Sequence, residues 1–598
     1  MPHVRRPPFP TIPRNTVGHG RLDDPLRLEL DRYLAPFSLR QLPQYRYDVV
    51  VLGSGIAGSI AALSAADAGA EVAVVAKDSL QSTNTAWAQG GIAAALGPDD
   101  SVDAHLTDTL EVGCGLVDEV IARRVIEGGP DAIEELLGLG ARFDRRADGA
   151  FDLSREGGHS YPRILHARGD ATGAEIQAAL TEALRAHPKI DVFPGTFGVD
   201  VLSDEEGQSV GVLARSSTGT LVSYGAPSVI LATGGGGQIY RETTNPTIAT
   251  ADGVAMGFRA GAAVRDLEFV QFHPTCLYIA GAARVLISEI VRGAGAVLRD
   301  KDGVRFMPEI HLDAELAPRD IVSRAVSRRM VETQTTSVGL DLSDIGRDPH
   351  EAFPGISRIC QFFGIDIAKD PIPVRPGCHY MIGGLVVDDS CRTTVPGLWA
   401  VGECSSSGLH GANRMGSNSL LEGLVLGQRA GVQAAAHAVE RGRPEIQSVA
   451  ERASEDLPPG VEVNLADLTY SMKSLMWRQM GVERTREGME DALETFAFWA
   501  RAAHSLPFED PRAIELFNML TVARLMTTGG LAREESRGTH FRSDFVHRND
   551  GSWRVHLVQQ PVGKDGAPTR GGRIQGLKLI KSPVRVAPET AAASTPNP

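Results

Sequence analysis

The apolar positions of this chain follow two patterns, one typical of buried parallel strands and one typical of amphipathic helices. Residues 47–77, YDVVVLGSGIAGSIAALSAADAGAEVAVVAK, contain an apolar run, a glycine turn, a helix and a second apolar run. Strands that are buried on both faces of a parallel sheet have such continuous runs. PSVILATGGGG at 227–237 repeats the strand that ends in glycines, and VPGLWAVGE at 395–403 repeats it again. The pattern predicts an α/β fold with a Rossmann-type domain.

Helical spacing of apolar residues predicts helices between these strands and at the end of the chain. TGAEIQAALTEALRAH begins at Thr172 and has a glutamate at the third position beyond it, which is the spacing of a capping box. The stretches 472–505 and 511–536 have helical spacing as well. Near the N-terminus, DPLRLELDRYL at 24–34 predicts a short helix in a segment that is otherwise rich in proline and arginine.

Signals of the nucleotide-binding domain lie on both sides of a middle region, so we predict one domain inserted into another. The inserted part is expected to be an α+β capping domain. The last residues, APETAAASTPNP, are small and polar, which is typical of disorder. The predicted division is an N-terminal extension at 1–43, a discontinuous nucleotide-binding domain at 44–265 and 382–440, the capping domain at 266–381, a C-terminal helical domain at 441–586 and a disordered tail at 587–598.

Composition and charge narrow the classes of function. The 598 residues carry a net charge of −14, which argues against nucleic acids and anionic membrane surfaces as partners. The chain has neither a long uncharged apolar run nor a secretory signal, so we expect no membrane span and a cytoplasmic location. Its six cysteines form no CxxC pair, so we expect reduced thiols and no metal site.

The glycine turn at 53–58 has the spacing GxGxxG between a strand and a helix, which predicts dinucleotide binding. Glycine lets the backbone approach a pyrophosphate, and the N-terminus of the helix offers N–H groups. An acid is usual about 20 residues later, where it binds the ribose. Lys77 stands there instead, so either Asp78 or other groups would bind the ribose. The turn consists of Gly53, Ser54, Gly55, Ile56, Ala57 and Gly58.

Several motifs occur in an order that resembles the L-aspartate oxidase family. These are FAD enzymes of the first step of NAD biosynthesis, within the succinate dehydrogenase/fumarate reductase flavoprotein superfamily. The resemblance spans roughly residues 46–545 and also implies the inserted capping domain. The motifs are GSGIAG at 53–58, TNTAWAQGGIAAA at 83–95, SREGGHS at 154–160, LATGGGG at 231–237, QFHPT at 271–275, LISEIVRGAG at 286–295, ELAPRDIV at 315–322, HGANRMGSNSLLEG at 410–423 and RGTHFRSDF near the end.

By this resemblance the cofactor is FAD, and a lysine is usual at the position of Lys77. Respiratory members attach FAD covalently through a histidine at the position of Asn84, so we expect noncovalent FAD here. Glu403 is expected to meet a ribose hydroxyl, and the helix that begins near Ser419 is expected to point at the flavin pyrimidine. The residues expected to contact FAD are the glycine turn at 53–58 with Lys77, Asn84, Thr85, Gln89, Gly90, Gly91, Asp252, Glu403, Ser419 and Leu420.

The resemblance also implies a clamp for a dicarboxylate substrate. An arginine can bind one carboxylate through two hydrogen bonds, and histidine and hydroxyl donors can hold the other. One member of the set, Ser288, stands where a threonine is common, and it retains the hydroxyl group. The expected substrate-binding residues are Gln271, His273, Ser288, His379 and Arg414.

Three further residues match the proton relay of fumarate reductases. Arg319 follows a proline at the expected start of a helix, where a cation is unfavourable because of the helix dipole. Glu289 and Arg292 are three positions apart, so one helical face could present both. A guanidinium has a pKa above about 12, so Arg319 either transfers a proton with the help of Glu289 or only stabilises charge.

Glu156, in SREGGHS, is a carboxylate in a chain that otherwise has the residues to bind an anion. Aspartate and succinate differ by one ammonium group, and the family pattern has a non-acidic residue here in succinate-oxidising relatives. A carboxylate at this position would pair with the ammonium, disfavour succinate and help the amine to lose a proton.

We therefore expect an oxidation of L-aspartate to iminoaspartate, with electrons passed to O2 or fumarate. Quinolinate synthase is the functional partner that the resemblance implies, because iminoaspartate is unstable in water. A soluble fumarate reductase or succinate dehydrogenase flavoprotein is the alternative with the same fold. An electron-transfer subunit that docks on an iron–sulfur protein is a further alternative, for which the helical C-terminal region would supply the interface.

Overall fold

The nucleotide-binding part of the fold is built on a parallel sheet, as the apolar runs predict. The computed structural model describes residues 28–279, 284–443, 464–503, 508–569 and 571–586. Alternate residues of its central strand lie in two different hydrophobic clusters, one on each face, so every side chain of that strand is buried. The strands lie in the order Leu398–Ala400, Ser228–Leu231, Val49–Leu52, Val72–Ala76 and Ile190–Pro194.

Two helices on one side of this sheet, Ile56–Asp67 and Asn418–Arg441, pack at unusually short distance. A Cβ on Gly431 would lie 2.2 Å from the carbonyl oxygen of Ala61, so the contact requires glycine. The packing brings the start of the second helix beside the glycine turn. Further helices of this part are Val102–Val112, Glu119–Glu127, Gly129–Gly138, Thr172–Ala186 and Asp252–Arg259.

Two smaller sheets accompany the parallel sheet. One contains Gln44–Arg46, Leu221–Gly225, Ser209–Arg215 and Phe197–Ser203, and its first pair is parallel. The other joins Ile92–Ala93, Ile164–Leu165 and Leu153–Ser154 in antiparallel register. The second sheet places the SREGGHS segment next to AQGG, because its last strand leads directly into Glu156.

The middle region contains an antiparallel sheet with its own hydrophobic cluster, which agrees with an α+β unit. Strand Val270–Leu277 pairs with Ile372–Met381, and these two strands carry His273 and His379. The other members are Val338–Asp341 and Val297–Arg299, and the helices are Glu289–Gly293, Arg319–Glu332, Pro349–Ala352 and Pro354–Phe362. The fold class is confirmed, while the domain boundaries stay predictions.

The C-terminal region begins as the predicted helices and ends in a hairpin that the sequence did not indicate. The helices are Leu465–Gln479, Arg486–Ala503, Pro511–Ala532 and Asp550–Trp553. The hairpin strands Val555–Val562 and Gly576–Pro583 join a sheet with Val264–Arg265, Gly384–Val386 and Ser405–Ser406. Its partners lie far away in the sequence, so local pattern could not reveal the pairing. None of the helices in the described ranges is long and apolar enough to span a membrane.

Two local predictions were wrong. Residues 28–34 form no helix; Leu30 instead exchanges two backbone hydrogen bonds of 3.0 Å with Ile574, and its side chain is buried. Thr172 is the first helical residue and not a cap, because its hydroxyl accepts a bond from Ala167 N at 3.1 Å. In both cases a tertiary contact replaced the local one. Residues 1–27 and the predicted disordered tail lie outside the described residues.

Candidate active site

The glycine turn forms a tight junction between strand and helix. Gly53 has a φ of +109°, and a Cβ there would lie 2.1 Å from the carbonyl oxygen of Ala232. A Cβ on Gly58 would lie 2.1 Å from the carbonyl oxygen of Gly53 itself. Any side chain at either position would therefore push the helix away from the sheet. The backbone N–H of Ile56, at the start of the helix, donates to Thr85 Oγ1 at 3.0 Å.

A cavity of about 450 Å³ extends from this turn toward His379 and Arg414. Three predicted cofactor residues do not line it: Gly58, Gly90 and Gly91 instead allow neighbouring segments to pack closely. A Cβ on Gly91 would lie 2.4 Å from Ile164, and one on Gly90 would lie 2.7 Å from Glu156 Oε1. The predicted residues that line the cavity are Gly53, Ser54, Gly55, Ile56, Ala57, Lys77, Asn84, Thr85, Gln89, Asp252, Glu403, Ser419 and Leu420.

The side chains along this cavity fit a long, polar dinucleotide. Asn84 Nδ2 donates to Glu403 Oε2 at 2.9 Å, while Asn84 Oδ1 and Gln89 Oε1 are buried without a hydrogen-bond partner in the described protein. Unpaired buried acceptors are costly, so they indicate ligand groups that would donate to them. Burial raises the pKa of Glu403, although bonds from Met381 N and Asn84 partly offset this effect.

A charged cluster around Lys77 and Asp252 borders another part of the cavity, and the sequence indicated only some of its members. Lys77 Nζ lies 2.9 Å from Asp252 and 2.6 Å from Glu515, and Asn518 donates to Asp252 at 2.7 Å. Burial would lower the pKa of Lys77, but the two carboxylates outweigh it and raise the pKa. Glu515 and Asn518 lie on the C-terminal helix Pro511–Ala532, and no local signal linked that helix to the cavity.

Contacts link four of the five predicted substrate-binding residues, and two of these four, His379 and Arg414, line the cavity. The rings of His273 and His379 are 5.2 Å apart, and Ser288 is a buried residue at the start of Glu289–Gly293. Gln271 Oε1 accepts bonds from Arg319 at 3.2 Å and Arg414 at 3.3 Å. Strand pairing explains the convergence, because Gln271 and His273 lie on the strand adjacent to the one that carries His379.

Arg414 is a buried cation that makes no ion pair with a carboxylate among the described residues. Its Nη2 donates to Ser419 Oγ at 2.6 Å, its Nε is unpaired, and its guanidinium lies over the Tyr380 ring at 4.6 Å. Burial and the nearby Arg319 lower its pKa to about 10. A cation so placed lacks a counter-ion, which a substrate carboxylate would supply. Tyr380 was missed from sequence because an aromatic beside a histidine is common in ordinary strands.

Glu156, Glu289, Arg292 and Arg319 form a buried chain of alternating charges. Arg319 Nε donates to Glu289 Oε2 at 2.6 Å, and Arg292 lies 3.4 Å from the other oxygen of Glu289. Arg319 Nη2 is 3.9 Å from Glu156 Oε2, which also accepts a bond of 2.9 Å from Ser417 Oγ. Arg319 is thus paired with Glu289 and Glu156, and the neighbouring Asp320 pairs with Arg324 instead.

Burial gives these groups different protonation behaviour. Burial raises the pKa of Glu156. The positive charge of Arg319 lowers this pKa in part, and the negative charge of Glu289 raises it further. Burial also acts on Glu289, but Arg319 and Arg292 outweigh it and lower the pKa of Glu289. The pKa values of His273 and His379 lie well below 6.5, chiefly because of burial and secondly because of Arg319. Both histidines are therefore neutral near pH 7.

Within the described residues, no group of three or more His, Cys, Asp or Glu side chains is arranged to hold a metal ion. All six cysteines are free thiols. Five of them are buried, and burial raises the pKa of two of these, Cys391 and Cys404, to about 12. Such thiols are unreactive near neutral pH.

Comparison with protein families identifies two matching models. The FAD binding domain model matches residues 48–420, which include the glycine turn, the buried charges from Glu156 to Arg414 and every residue that lines the cavity except Gly423. The model of the fumarate reductase flavoprotein C-terminus matches residues 469–571. The matched ranges together include most of the described chain.

Individual proteins that are similar to the chain agree with these models. An L-aspartate oxidase of Streptomyces coelicolor is 43% identical over 86% of this chain and 91% of its own length. An L-aspartate oxidase of Bacillus subtilis is 41% identical over 85% of this chain and 93% of its own length. Among solved structures, a variant of E. coli quinol fumarate reductase has a TM-score of 0.84 at 33% identity, covering 91% of this chain and 98% of that chain. Mycobacterium smegmatis Sdh1 has a TM-score of 0.78 at 34% identity, covering 91% and 95%.

Proposed function

The chain belongs to the L-aspartate oxidase family of FAD-dependent flavoproteins, and we propose how its buried residues carry out that family's reaction. The reaction is the oxidation of L-aspartate to iminoaspartate, which begins the biosynthesis of NAD. FAD held in the cavity would supply the two-electron acceptor for the hydride that leaves the substrate Cα, and O2 or fumarate would then take up the electrons. The observation that supports our assignment of residues is the buried Glu156, which lies in the same site as Arg319 and Arg414.

Arg414 and the two histidines bind the carboxylates. No carboxylate in the described part of the chain pairs with Arg414, so a substrate carboxylate would gain a full charge-assisted interaction there. His273 and His379 are neutral, so each presents a single N–H donor to the other carboxylate without adding charge. Ser288 and Gln271 complete the set as hydrogen-bonding groups. The arrangement suits a dicarboxylate, because it combines one unpaired cation with several neutral donors.

Glu156 binds the substrate ammonium and then accepts a proton from it. Iminoaspartate forms only after the nitrogen has lost a proton, since its lone pair makes the new double bond to Cα. The raised pKa of Glu156 brings the carboxylate closer to the ideal for a general base near neutral pH. Its short bond from Ser417 Oγ orients the carboxylate, while the weaker 3.9 Å contact with Arg319 leaves room for a closer cation.

Arg319 serves as an electrostatic stabiliser and not as a proton donor. Burial would lower the pKa of its guanidinium, but Glu289 and Glu156 outweigh that effect and raise the pKa above its ordinary value. Deprotonation of Arg319 would therefore be more difficult here than in water. A fixed positive charge in this place orients the substrate and holds Glu289 ionised.

FAD is noncovalent in this proposal, because Asn84 occupies the position of the histidine that respiratory relatives use for attachment. The amide of Asn84 is itself held by Glu403 at 2.9 Å. We place the enzyme in the cytoplasm, with quinolinate synthase as the consumer of its product, because an imine of this kind hydrolyses in water. A fumarate reductase or succinate dehydrogenase activity fits less well, because Glu156 would face a substrate that has no cation.

Anaerobic bleaching of the flavin tests the substrate assignment. We expect L-aspartate, and not succinate, to bleach the wild-type holoenzyme. Glu156→Gln should lower kcat/KM for L-aspartate by roughly 100- to 10,000-fold, because the variant loses both the partner of the ammonium and the general base. Glu206→Gln, an exposed residue in a turn, is the matched control and should have no effect. Bleaching by succinate alone would assign the chain to the succinate and fumarate enzymes.

A further inference from the structure

His159 links two loops that come from distant parts of the sequence. The residue is 5% exposed, and its Nε2 lies 3.0 Å from the carbonyl oxygen of Gly416. The same residue closes the turn that carries Glu156, because its backbone N–H donates to the carbonyl oxygen of Glu156 at 3.2 Å. Gly416 lies between Arg414 and Ser417, so the contact joins the loop of Glu156 to the loop of Arg414.

The tautomer of this ring follows from its other neighbour. Arg163 Nη1 lies 3.4 Å from His159 Nδ1, and a guanidinium can only donate. Nδ1 is therefore the acceptor, and Nε2 carries the hydrogen that it donates to Gly416. Burial and the nearby His105 keep this ring neutral, with a pKa of about 3. The donor is thus present throughout the range in which the enzyme would work.

Buried ion pairs and hydrogen bonds hold the loop that carries His159 and Glu156. Arg163 is fully buried and pairs with Asp100 and Asp108, each at 2.7 Å. Ser160 donates twice to Asp108, from its backbone N–H at 2.8 Å and its hydroxyl at 2.6 Å. Asp108 belongs to helix Val102–Val112, so the Glu156 loop is anchored to a regular element of the nucleotide-binding part.

The two linked loops carry groups that recognise different parts of the proposed substrate. Glu156 meets the ammonium, and Arg414 meets a carboxylate. A Cβ on Gly416 would lie 2.4 Å from Glu156 Oε2 and 2.9 Å from Arg319 Nη2, so these loops already approach as closely as glycine permits. The distance between the ammonium site and the carboxylate site therefore depends on where Gly416 is held.

We infer that His159 is a positioning residue that sets the separation of Glu156 and Arg414, and so selects amino dicarboxylates over plain dicarboxylates. The inference rests on the proposed function, since it needs Glu156 to bind an ammonium group. Succinate has no ammonium group, so its binding does not involve an ion pair with Glu156. Its binding depends on the arginine and histidine donors alone. Arg414 keeps its bonds to Gln271 and Ser419 without His159, so succinate does not require a fixed separation of Arg414 and Glu156.

The test compares two ligands in one set of variants of the FAD-loaded enzyme. His159→Leu should lower kcat/KM for L-aspartate by roughly tenfold or more, mainly through KM, because a buried hydrogen bond is lost. The dissociation constant of succinate, measured from the perturbation of the flavin absorbance, should change by no more than about twofold, since uncoupled sites are nearly independent. His159→Gln, which retains an N–H donor, should recover most of the aspartate activity.

A double-mutant cycle separates this role from general support of the fold. In a Glu156→Gln background, His159→Leu should have almost no further effect on aspartate, because His159 acts through Glu156. An equal loss for aspartate and succinate, or additive losses in the cycle, would overturn the inference. If His159→Leu does not retain FAD, Ser417→Ala removes the other bond between the loops and must show the same selectivity for the inference to stand. Wild-type enzyme that fails to oxidise aspartate would refute the proposed function instead.

Discussion

At the scale of single residues, two buried carboxyl groups in one site acquire opposite properties from their neighbours. Burial acts on both Glu156 and Glu289 and would raise both pKa values. Glu289 is held at 2.6 Å by Arg319 and lies near a second cation, so its pKa falls. Glu156 has only a 3.9 Å contact with Arg319 and a neutral hydroxyl partner, so its pKa rises. One carboxyl group of the pair can therefore exchange protons, while the other remains charged.

This difference predicts the pH dependence of the reaction. Glu156 binds the ammonium only as a carboxylate, so kcat/KM for L-aspartate should fall as the pH drops through its pKa. That pKa is raised, so the acid limb should begin above 4.5. The limb should lie at lower pH in kcat, because a bound ammonium stabilises the carboxylate. Steady-state kinetics across pH would measure both.

The matched experiment uses Glu156→Gln, which cannot titrate. Its residual kcat/KM should lack this acid limb. His273 and His379 contribute no limb near neutrality, because their pKa values lie well below 6.5. An acid limb that persists unchanged in the variant would mean that another group, such as the substrate itself, controls the profile.

At the scale of elements, a turn of the C-terminal region supports the loop that carries Arg414. In RGTHFRSDF, Thr539 N donates to the carbonyl oxygen of Ala412 at 3.0 Å. Gly538 has a φ of +51°, and a Cβ there would lie 2.3 Å from the same oxygen. The carbonyl of Gly538 accepts a bond of 3.1 Å from Arg324, on the helix that begins at Arg319. The turn thus touches two elements that carry active-site arginines.

Gly538→Ala should therefore weaken substrate binding without removing FAD. The left-handed backbone and the clash together should lower the free energy of unfolding by roughly 1–3 kcal/mol. The displaced Ala412 loop should also raise KM for L-aspartate. Thermal melting and steady-state kinetics would measure these effects.

Gly138→Ala is the matched control for that substitution. Gly138 lies in helix Gly129–Gly138, and a Cβ there would have no atom within 4 Å. Its replacement should be neutral or slightly stabilising, because alanine favours helix. If Gly538→Ala behaved like this control, the turn would have no role in holding the Arg414 loop.

At the scale of the whole molecule, one cavity joins segments from much of the chain. Its lining extends from Leu52 in the first strand to Gly423 in the long helix, and it includes residues of the middle region such as Ile359 and His379. The helix Pro511–Ala532 reaches it through Glu515 and Lys77. A ligand in this cavity contacts several parts of the fold at once, so its binding free energy adds to their joint stability.

Removal of FAD should therefore destabilise the whole protein. If the cofactor is noncovalent, acid precipitation should release all of it, and gentle removal should leave an apoprotein that melts at lower temperature. FAD added at a hundredfold its Kd should restore about 2.7 kcal/mol of stability. Thermal melting over a range of FAD concentrations would measure this. Flavin that stays on the polypeptide, or a melting temperature independent of FAD, would contradict the prediction.

Much of the candidate site could be read from the sequence because short motifs carry its chemistry. The spacing of the glycines at 53–58 predicts a tight turn, because glycine tolerates backbone conformations that other residues do not. QFHPT and the GANRMG segment were placed in the site by resemblance, and strand pairing and loop packing bring them together. The cofactor roles of Gly90 and Gly91 stay predictions. Neither residue lines the cavity, and a glycine can serve a ligand or a closely packed neighbour equally.

The sequence by itself determined the parallel sheet, the glycine turn, most helices and the family of the chain. These features depend on apolar periodicity and on residue types at short spacing, which are local properties. Only the tertiary structure decided that residues 28–34 form no helix, that a hairpin follows the C-terminal helices, and that His159 joins the Glu156 and Arg414 loops. It also decided the charge states, because desolvation and the distances between charges depend on segments that meet only in the folded protein.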